Sequence, residues 1–197
     1  MMPMRIWTTQ TVSFWNQLQE QGVVHCDTAK SWGATEMKEA YDWLVEQMVI
    51  RIGPPPRPEI KYPIWGWYQV GSHKKELHPN YYDCGGDDDE FVFITAEIPE
   101  GEVLLSDFEM WHFVLNHWYL PVNKRDKEKG EESIIKSWDL IFELNRRVWG
   151  FPLRRNRQIQ ATFWELRKEW VIGVTQIKGY QRWRQLQMKK KGEPSIK

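Results

Sequence analysis

The sequence has only two cysteines, Cys26 and Cys84, in 197 residues, which excludes a framework of several disulfides. The first ten residues, MMPMRIWTTQ, lack the apolar region of a secretory signal peptide. No apolar run approaches the roughly 20 residues that a membrane-spanning helix needs. We therefore expect a cytoplasmic protein with reduced thiols and no membrane partner.

The sequence also lacks the common motifs of catalysis and cofactor binding: a Walker A loop, GxGxxG, GxSxG and HExxH. The five histidines do not fall at metal-ligand spacing. His112 and His117, for example, are five residues apart, which does not put them on one helical face. The acidic run DCGGDDDE (83–90) lacks the spacing of an EF-hand and predicts a solvated loop. We expect no metal site.

Tryptophan is abundant, with 13 residues, and aromatic side chains of this kind serve both cores and binding pockets. Apolar residues make up 41% of the chain and charged residues 27%, which indicates a folded protein rather than a disordered one. The length suits one domain with a full core. We predict a single domain over residues 1–179, followed by a basic tail over 180–197.

A formal net charge of zero hides an asymmetry between the two parts of the chain. Residues 1–123 hold 8 Lys and Arg against 18 Asp and Glu, a net charge of −10. Residues 124–197 hold 19 against 9, a net charge of +10. Either the two parts attract each other within one domain, or the second part presents a basic face to an anionic partner such as nucleic acid.

Hydrophobic periodicity and turn residues predict an α+β fold with a mixed, mainly antiparallel sheet and about four flanking helices. Strands are predicted at 4–8, 23–26, 60–70, 91–98, 103–105, 159–166 and in the segment ending at 177. The predicted helices start at Thr9 or Thr11, at Thr35, at Ser106 in the capping box SDFE, and at Ser133. Pro63 lacks an N–H, so we expect an edge position or a bulge there.

The stretch RRNRQIQATFWELRKEWVIGVTQI (154–177) reads as a basic loop and two strands. In the first strand, alternation places Gln160, Thr162, Trp164 and Leu166 on one face and Glu165 on the other. Both faces are bulky and apolar, which favours the interior of a sheet. Gln160 is then a polar residue in an unusual setting; it is either a functional residue or the wet end of a strand.

Five segments resemble a bacterial family of unknown function, the domain of unknown function 3841. They are IWTTQ (6–10), AYDWLVEQM (40–48), YPIWGWYQ (62–69), VLLSDFEMWHFVLN (103–116) and IQATFWEL (159–166). The resemblance extends over nearly the whole length. It implies no established activity.

A more distant resemblance is to ADP-ribosyltransferase-like folds. These open with a strand ending in His near a Thr, then a helix, and have a middle strand with a stacking aromatic and a late strand that begins with the catalytic Glu. The segments with this outline are RIWTTQTVSFWNQLQEQGVV (5–24), YPIWGW (62–67), EIPEGEVLLSDFEMW (97–111) and QATFWELRKEWVIGV (160–174). The resemblance implies NAD as a cofactor, bound by Trp7, Thr8, Gln10, Trp65 and Trp67.

The sequence departs from that pattern at two positions: Trp7 stands for the ribose-binding His and Gln160 for the catalytic Glu. Such a Glu holds a ribose hydroxyl and stabilises an oxocarbenium-like transition state by its charge. Glutamine keeps the hydrogen bond but not the charge. The chemistry is then weakened or lost, or another acid serves. Asp107 is the candidate for that acid, since Glu165 is expected on the opposite face.

Arg154 and Arg155 are candidates for a pyrophosphate clamp, because guanidinium groups suit phosphate geometry. Simpler roles exist for every candidate: core packing for the tryptophans, capping for Thr8 and Gln10, the helix N-terminus for Asp107, and a solvated loop for the arginines. The sequence thus supports two hypotheses. The first is a nucleotide-binding, ADP-ribosyltransferase-like protein; the second is a non-enzymatic module whose basic C-terminal half binds nucleic acid or protein.

Overall fold

A computed structural model describes residues 2–28, 36–71 and 91–177. The predicted cap Thr35, the acidic run 83–90 and the basic tail 180–197 lie outside these ranges. The strands within them are β1 (Pro3–Thr11), β2 (Val23–His25), β3 (Ile64–Gln69), β4 (Phe91–Pro99), β5 (Leu104–Asp107), β6 (Ile159–Phe163), β7 (Glu165–Arg167) and β8 (Val171–Ile177).

Six of these strands form one sheet in the order β5-β6-β3-β1-β4-β8, and β2 and β7 form a second, two-stranded sheet. The pairings found among the described residues are all antiparallel. The prediction of an α+β domain with a mainly antiparallel sheet is confirmed. β1 and β6 are interior strands, and all five residues of β6 are buried, as its two apolar faces predicted.

The described ranges contain four α-helices, as expected: α1 (Val12–Gln21), α2 (Lys38–Ile52), α3 (Phe108–Leu115) and α4 (Glu131–Ser137). Helices α2, α3 and α4 bury their apolar residues in one core with Leu104 of β5. On the other face of the sheet, Leu18 of α1, Val24 of β2 and Leu166 of β7 pack on Ile6 and its neighbours. The central sheet therefore lies between two layers. No helix in these ranges is long and apolar enough to cross a membrane.

The capping residues predicted for α1 agree with the helix observed. Thr11 is its N-cap, and its side chain accepts a hydrogen bond from the backbone N of Phe14 at 3.1 Å. Gly22 ends the helix with a φ of 75°, in the left-handed region that glycine adopts without strain.

Two predicted helix starts are wrong. Ser106 is a buried residue of β5, and the N-cap of α3 is Asp107, because pairing with β6 continues through Asp107 opposite Ile159. Ser133 lies inside α4, which begins at Glu131 after Gly130 and gives way to a 3₁₀ turn at Trp138. The Ser133 hydroxyl donates to the carbonyl of Gly130 at 2.7 Å.

The expectation for Pro63 is also wrong. β3 begins at Ile64, after the proline, and it is an interior strand between β1 and β6. The register shift in β3 lies between Trp67 and Gln69 rather than at Pro63. The missing N–H costs no ladder hydrogen bond, because the proline precedes the ladder.

The predicted strand 159–166 is interrupted at Trp164. Its first part, β6, belongs to the central sheet, whereas β7 turns away to pair with β2. The alternation therefore fails beyond this point: Leu166 packs in the same core as Ala161 and Phe163, not on the Gln160 face. Trp164 packs in the other core, and its indole N–H donates to the carbonyl of Gly53 at 3.0 Å.

Candidate functional site

A cavity of about 450 Å³ lies on the face of the central sheet that carries α2 and α3. Residues of β1, β3, β4 and β6 line it from the sheet, and residues of α2 and α3 line it from the helices. Half of the lining residues are aromatic: Tyr41, Trp65, Trp67, Phe91, Phe108 and Trp111. An apolar cavity with a few polar groups is the usual form of a small-molecule site.

Three of the aromatic rings contact one another at the centre of the wall. The ring centroids of Trp65 and Trp111 are 5.4 Å apart, and Tyr41 lies 5.8 Å from Trp65 and 5.9 Å from Trp111. Burial raises the pKa of Tyr41, with a further contribution from the nearby Cys26. Trp67 packs on Phe108 at 5.0 Å. These mutual contacts restrict the rings, so the wall is preorganised.

Trp65 also has an unsatisfied polar atom. Its indole Nε1 is buried, and it has no hydrogen-bond partner within the described part of the chain. A buried donor without a partner costs free energy. Trp65 therefore contributes a ring to the cavity wall and also carries an unsatisfied buried donor.

Gln160 lies in a row of residues that crosses four strands. Ser106 of β5 is opposite Gln160, Gln160 is opposite Trp67, and Trp67 is opposite Trp7 of β1. Directly opposed residues share a face of the sheet, so Trp7, Trp67 and Gln160 lie on the cavity face. Trp65 is two residues from Trp67 and shares that face. Of these, Trp7 is packed behind Trp67 and does not line the cavity.

The Gln160 side chain is nearly fully buried, with 4% exposure. Its Nε2 donates to the hydroxyl of Ser106 at 3.1 Å. This bond orients the amide at the cavity, which Gln160 lines. Gln160 is thus a fixed, uncharged hydrogen-bonding group in an aromatic wall.

Thr8 and Gln10 point to the other face of β1, by the same alternation. The Gln10 amide Nε2 donates to the Thr8 hydroxyl at 2.7 Å, and that hydroxyl donates to the backbone carbonyl of Trp65 at 2.7 Å. β1 and β3 have only one pair of opposed residues, Trp7 and Trp67. The Thr8 side chain thus joins the two strands where the ladder does not. Thr8 lines the cavity, and Gln10 does not.

Asp107 does not line the cavity. It is the N-cap of α3, is 1% exposed, and accepts a hydrogen bond from Met110 N at 3.0 Å. Its other oxygen lies 3.4 Å from Nη1 of Arg157, which is equally buried. Burial raises the pKa of Asp107, and the Met110 hydrogen bond and the Arg157 charge oppose that shift only in part.

The other acid considered, Glu165, is also elsewhere. Its carboxylate lies 2.8 Å from Nε of Arg167 and 3.8 Å from Arg57. No carboxylate lines the cavity among the residues described. Arg154 and Arg155 share a 3₁₀ turn, and Arg154 donates to Asn145 at 2.6 Å. Neither arginine lines the cavity.

Comparison with protein families gives one match. Residues 5–134 match the model of a domain of unknown function (DUF3841). The chain belongs to this family. The match is shorter than the resemblance suggested: it includes four of the five segments and ends before IQATFWEL (159–166). No curated protein matches the sequence at a significant level.

In this DUF3841 chain, the matched range supplies every cavity residue except Gln160. The helical contribution, from Tyr41, Phe108 and His112, is not predicted from the sequence. Tyr41 and Phe108 are aromatic residues of amphipathic helices, and in such helices aromatic residues usually belong to the core. His112 Nδ1 lies 2.9 Å from the carbonyl of Phe108. A carbonyl only accepts, so Nδ1 carries the proton and Nε2 remains outside this bond.

A second group of polar residues lies away from the cavity. Glu39, His117 and Glu131 place potential metal-ligand atoms within 4.8 Å of one another. His117 Nδ1 lies 3.1 Å from Glu39, and its Nε2 lies 2.6 Å from Glu131. Both ring nitrogens thus already face a carboxylate, which is the geometry of an ion-paired triad. The two glutamates are mostly exposed.

Proposed function

We propose that this DUF3841 protein binds NAD in the aromatic cavity, at a site resembling those of ADP-ribosyltransferase-like proteins. Because glutamine stands at the catalytic position, we propose that it binds NAD without rapid cleavage of the glycosidic bond. The observation that carries this proposal is a cavity of about 450 Å³ whose wall combines six aromatic rings with the Gln160 amide.

The nature of the wall favours the nicotinamide end of NAD. The oxidised nicotinamide ring is planar and cationic, and a cation is attracted to the faces of aromatic rings. Trp65 and Trp67 present such rings. The Gln160 amide, which also lines the cavity, can hydrogen-bond the carboxamide of the nicotinamide ring. The lining thus supports binding of a flat, cationic ring with a polar substituent.

Gln160 supports binding rather than catalysis. Its amide can hydrogen-bond a ligand, but it adds no negative charge opposite a developing oxocarbenium ion. Asp107 and Glu165 pair with arginines elsewhere. Within the described ranges, no second acid replaces the missing charge at the cavity.

Thermal unfolding in the presence of NAD tests the proposal. A ligand at 100 times its dissociation constant stabilises the fold by about 2.7 kcal/mol, which raises Tm by several degrees at roughly 2–4 °C per kcal/mol. We expect this rise in the native protein, a smaller rise in Gln160→Ala, and a native-sized rise in Gln19→Ala, a matched change on α1 away from the cavity. No rise at millimolar NAD contradicts the proposal.

The basic C-terminal half favours a second candidate, a module that binds nucleic acid or an acidic protein. Much of that charge lies in residues 178–197, which hold 7 Lys and Arg against one Glu. Binding through these charges should weaken steeply as salt increases. The test is retention on immobilised nucleic acid, with a triple change of Lys189, Lys190 and Lys191 to Glu. Retention that does not respond to salt argues against this candidate.

A further inference from the structure

A second cleft adjoins the aromatic cavity. It has a volume of about 320 Å³, and Thr9 and Trp65 line both spaces. The two spaces therefore share part of their walls, near the end of β1 and the start of β3.

Polar groups form a larger share of the lining in the cleft than in the cavity, beside the apolar residues Phe14, Pro63, Ile64 and Trp65. Hydroxyl and amide groups come from the end of β1 and from α1, and the segment after β2 adds an imidazole and a carboxylate; these residues are Gln10, Thr11, Ser13, Gln17, His25 and Asp27. Such groups both donate and accept hydrogen bonds. They suit a sugar, whose hydroxyls need both.

The described lining of both spaces also lacks the cationic side chains of most phosphate sites. No lysine or arginine lines the cavity or the cleft within residues 2–28, 36–71 and 91–177. Phosphate recognition by side chains normally relies on guanidinium or ammonium groups. Arg154 and Arg155, the arginines considered for a pyrophosphate, belong to neither lining.

Gln10 has a defined orientation at the edge of the cleft. Its Nε2 donates to the Thr8 hydroxyl, which in turn donates to the backbone of Trp65. This network uses only the Nε2 group of Gln10, so the side-chain oxygen Oε1 of Gln10 lies outside it. The network thereby holds Gln10, which offers an acceptor, close to Trp65, which lines both spaces.

We infer that the cleft is a sugar subsite and that this protein recognises a nucleoside, an aromatic ring with its ribose, rather than a phosphate. The inference rests on the proposed function, since the ring must occupy the aromatic cavity. It assigns Gln10 and Gln17 as hydrogen-bonding partners of the ribose hydroxyls. The phosphates of NAD would lie outside both spaces.

Three probes test this by calorimetric titration of the full chain: 1-methylnicotinamide, nicotinamide riboside and NAD. The first two carry the same cationic ring and differ in the sugar. We expect the riboside to bind about tenfold more tightly than 1-methylnicotinamide, since one or two net hydrogen bonds correspond to that ratio. We expect the affinity of NAD to be within about threefold of the riboside and to depend weakly on salt.

Two variants locate the effect. Gln10→Ala and Gln17→Ala should each reduce the riboside advantage, and Gln17→Ala, which lies outside the network that holds Trp65, should leave 1-methylnicotinamide binding unchanged. Asn16→Ala, next to Gln17 on α1 but outside the cleft, should bind all three probes like the native protein.

The outcomes separate the inference from the proposal beneath it. If 1-methylnicotinamide binds and the riboside gains nothing, or if NAD binds tenfold or more tightly than the riboside, the sugar subsite is wrong and the ring site stands. If none of the three probes binds, the proposed function and the subsite are both wrong.

Discussion

Asp107 and Arg157 form an ion pair in which each side chain is only 1% exposed. Removing one partner of such a pair leaves an uncompensated buried charge, which typically costs about 3–5 kcal/mol. Arg157 also donates to the carbonyls of Pro152 and Arg146, which holds the guanidinium in place after the change. We predict that Asp107→Ala lowers the free energy of unfolding in urea by about that amount.

Asp107→Asn is the control for this prediction, because asparagine caps helices as well as aspartate does. It should be less destabilising than alanine. Both variants should bind NAD normally at a temperature at which they are folded. A cost below about 1 kcal/mol for Asp107→Ala, or a selective loss of NAD binding, would contradict a structural role.

Gln160→Glu restores the acid that the ADP-ribosyltransferase resemblance implies. We predict that it increases the release of nicotinamide from NAD, on the order of 10²-fold, the typical effect of one electrostatic catalytic group. The new carboxyl would be buried, and burial raises the pKa of an acid, so the gain should grow with pH. Chromatographic detection of nicotinamide between pH 5 and pH 9 measures this. Release equal to that of the native protein at every pH contradicts the prediction.

Asp126 gives the loop after α3 a stability that depends on pH. The hydrogen bond from Val122 N, at 3.0 Å, and a second from the Tyr119 hydroxyl lower the pKa of Asp126 below its ordinary 3.8. A lowered pKa in the folded state means that its stabilisation is present above the ordinary pKa and is lost as the pH falls through the folded value.

Asp126→Asn removes that ionisation. We predict that the native protein has the higher Tm at neutral pH and that the difference between the two shrinks below about pH 4. Thermal unfolding followed by circular dichroism across this range measures it. A difference that stays constant down to pH 2 would show that Asp126 does not act through its charge.

Among the strands, β3 can pack against β1 only because it has a glycine, Gly66, between its two tryptophans. A Cβ at Gly66 would lie 2.7 Å from Cγ2 of Ile6 and 2.8 Å from the backbone oxygen of Trp7. An added methyl group in such a place forces the backbone to shift, which typically costs about 1–3 kcal/mol. We predict this loss for Gly66→Ala in urea unfolding, together with weaker NAD binding because β3 carries Trp65 and Trp67.

Gly173 in the edge strand β8 provides the matched control. A Cβ there would lie 3.8 Å from the Cβ of Thr95, an ordinary contact. Gly173→Ala should therefore leave stability within about 0.5 kcal/mol of native, or raise it. Equal losses in the two variants would mean that the crowding at Gly66 is not the cause.

The elements differ in how well they could be predicted. α1 has a capping threonine at its start and a glycine at its end, and both signals act within a few residues of the chain. The start of α3 was predicted one residue early, because pairing of Asp107 with Ile159 decides it, 52 positions away. The break at Trp164 has the same cause, since β7 pairs with β2 near the other end of the sequence.

For the molecule as a whole, the sequence gives the uneven charge distribution, but it does not say whether the basic residues pair within the fold or face a partner. Several of the arginines in the second half pair with acids of the described core, including Arg157 with Asp107 and Arg167 with Glu165. Such pairs reduce the charge that faces a partner. The salt response of the native chain and of the triple lysine variant at 189–191 therefore measures how much of the remaining charge acts externally.

The sequence by itself determined the α+β class, the end of α1 at Gly22, the interior position of β6 and membership of the DUF3841 family, because periodicity and local motifs depend on neighbouring residues. Only the tertiary structure decided which tryptophans line the cavity, that Trp7, Trp67, Gln160 and Ser106 form one row, and that Asp107 faces Arg157 instead. Strand order and register bring these residues together, and both are set by contacts between segments that are distant in the chain.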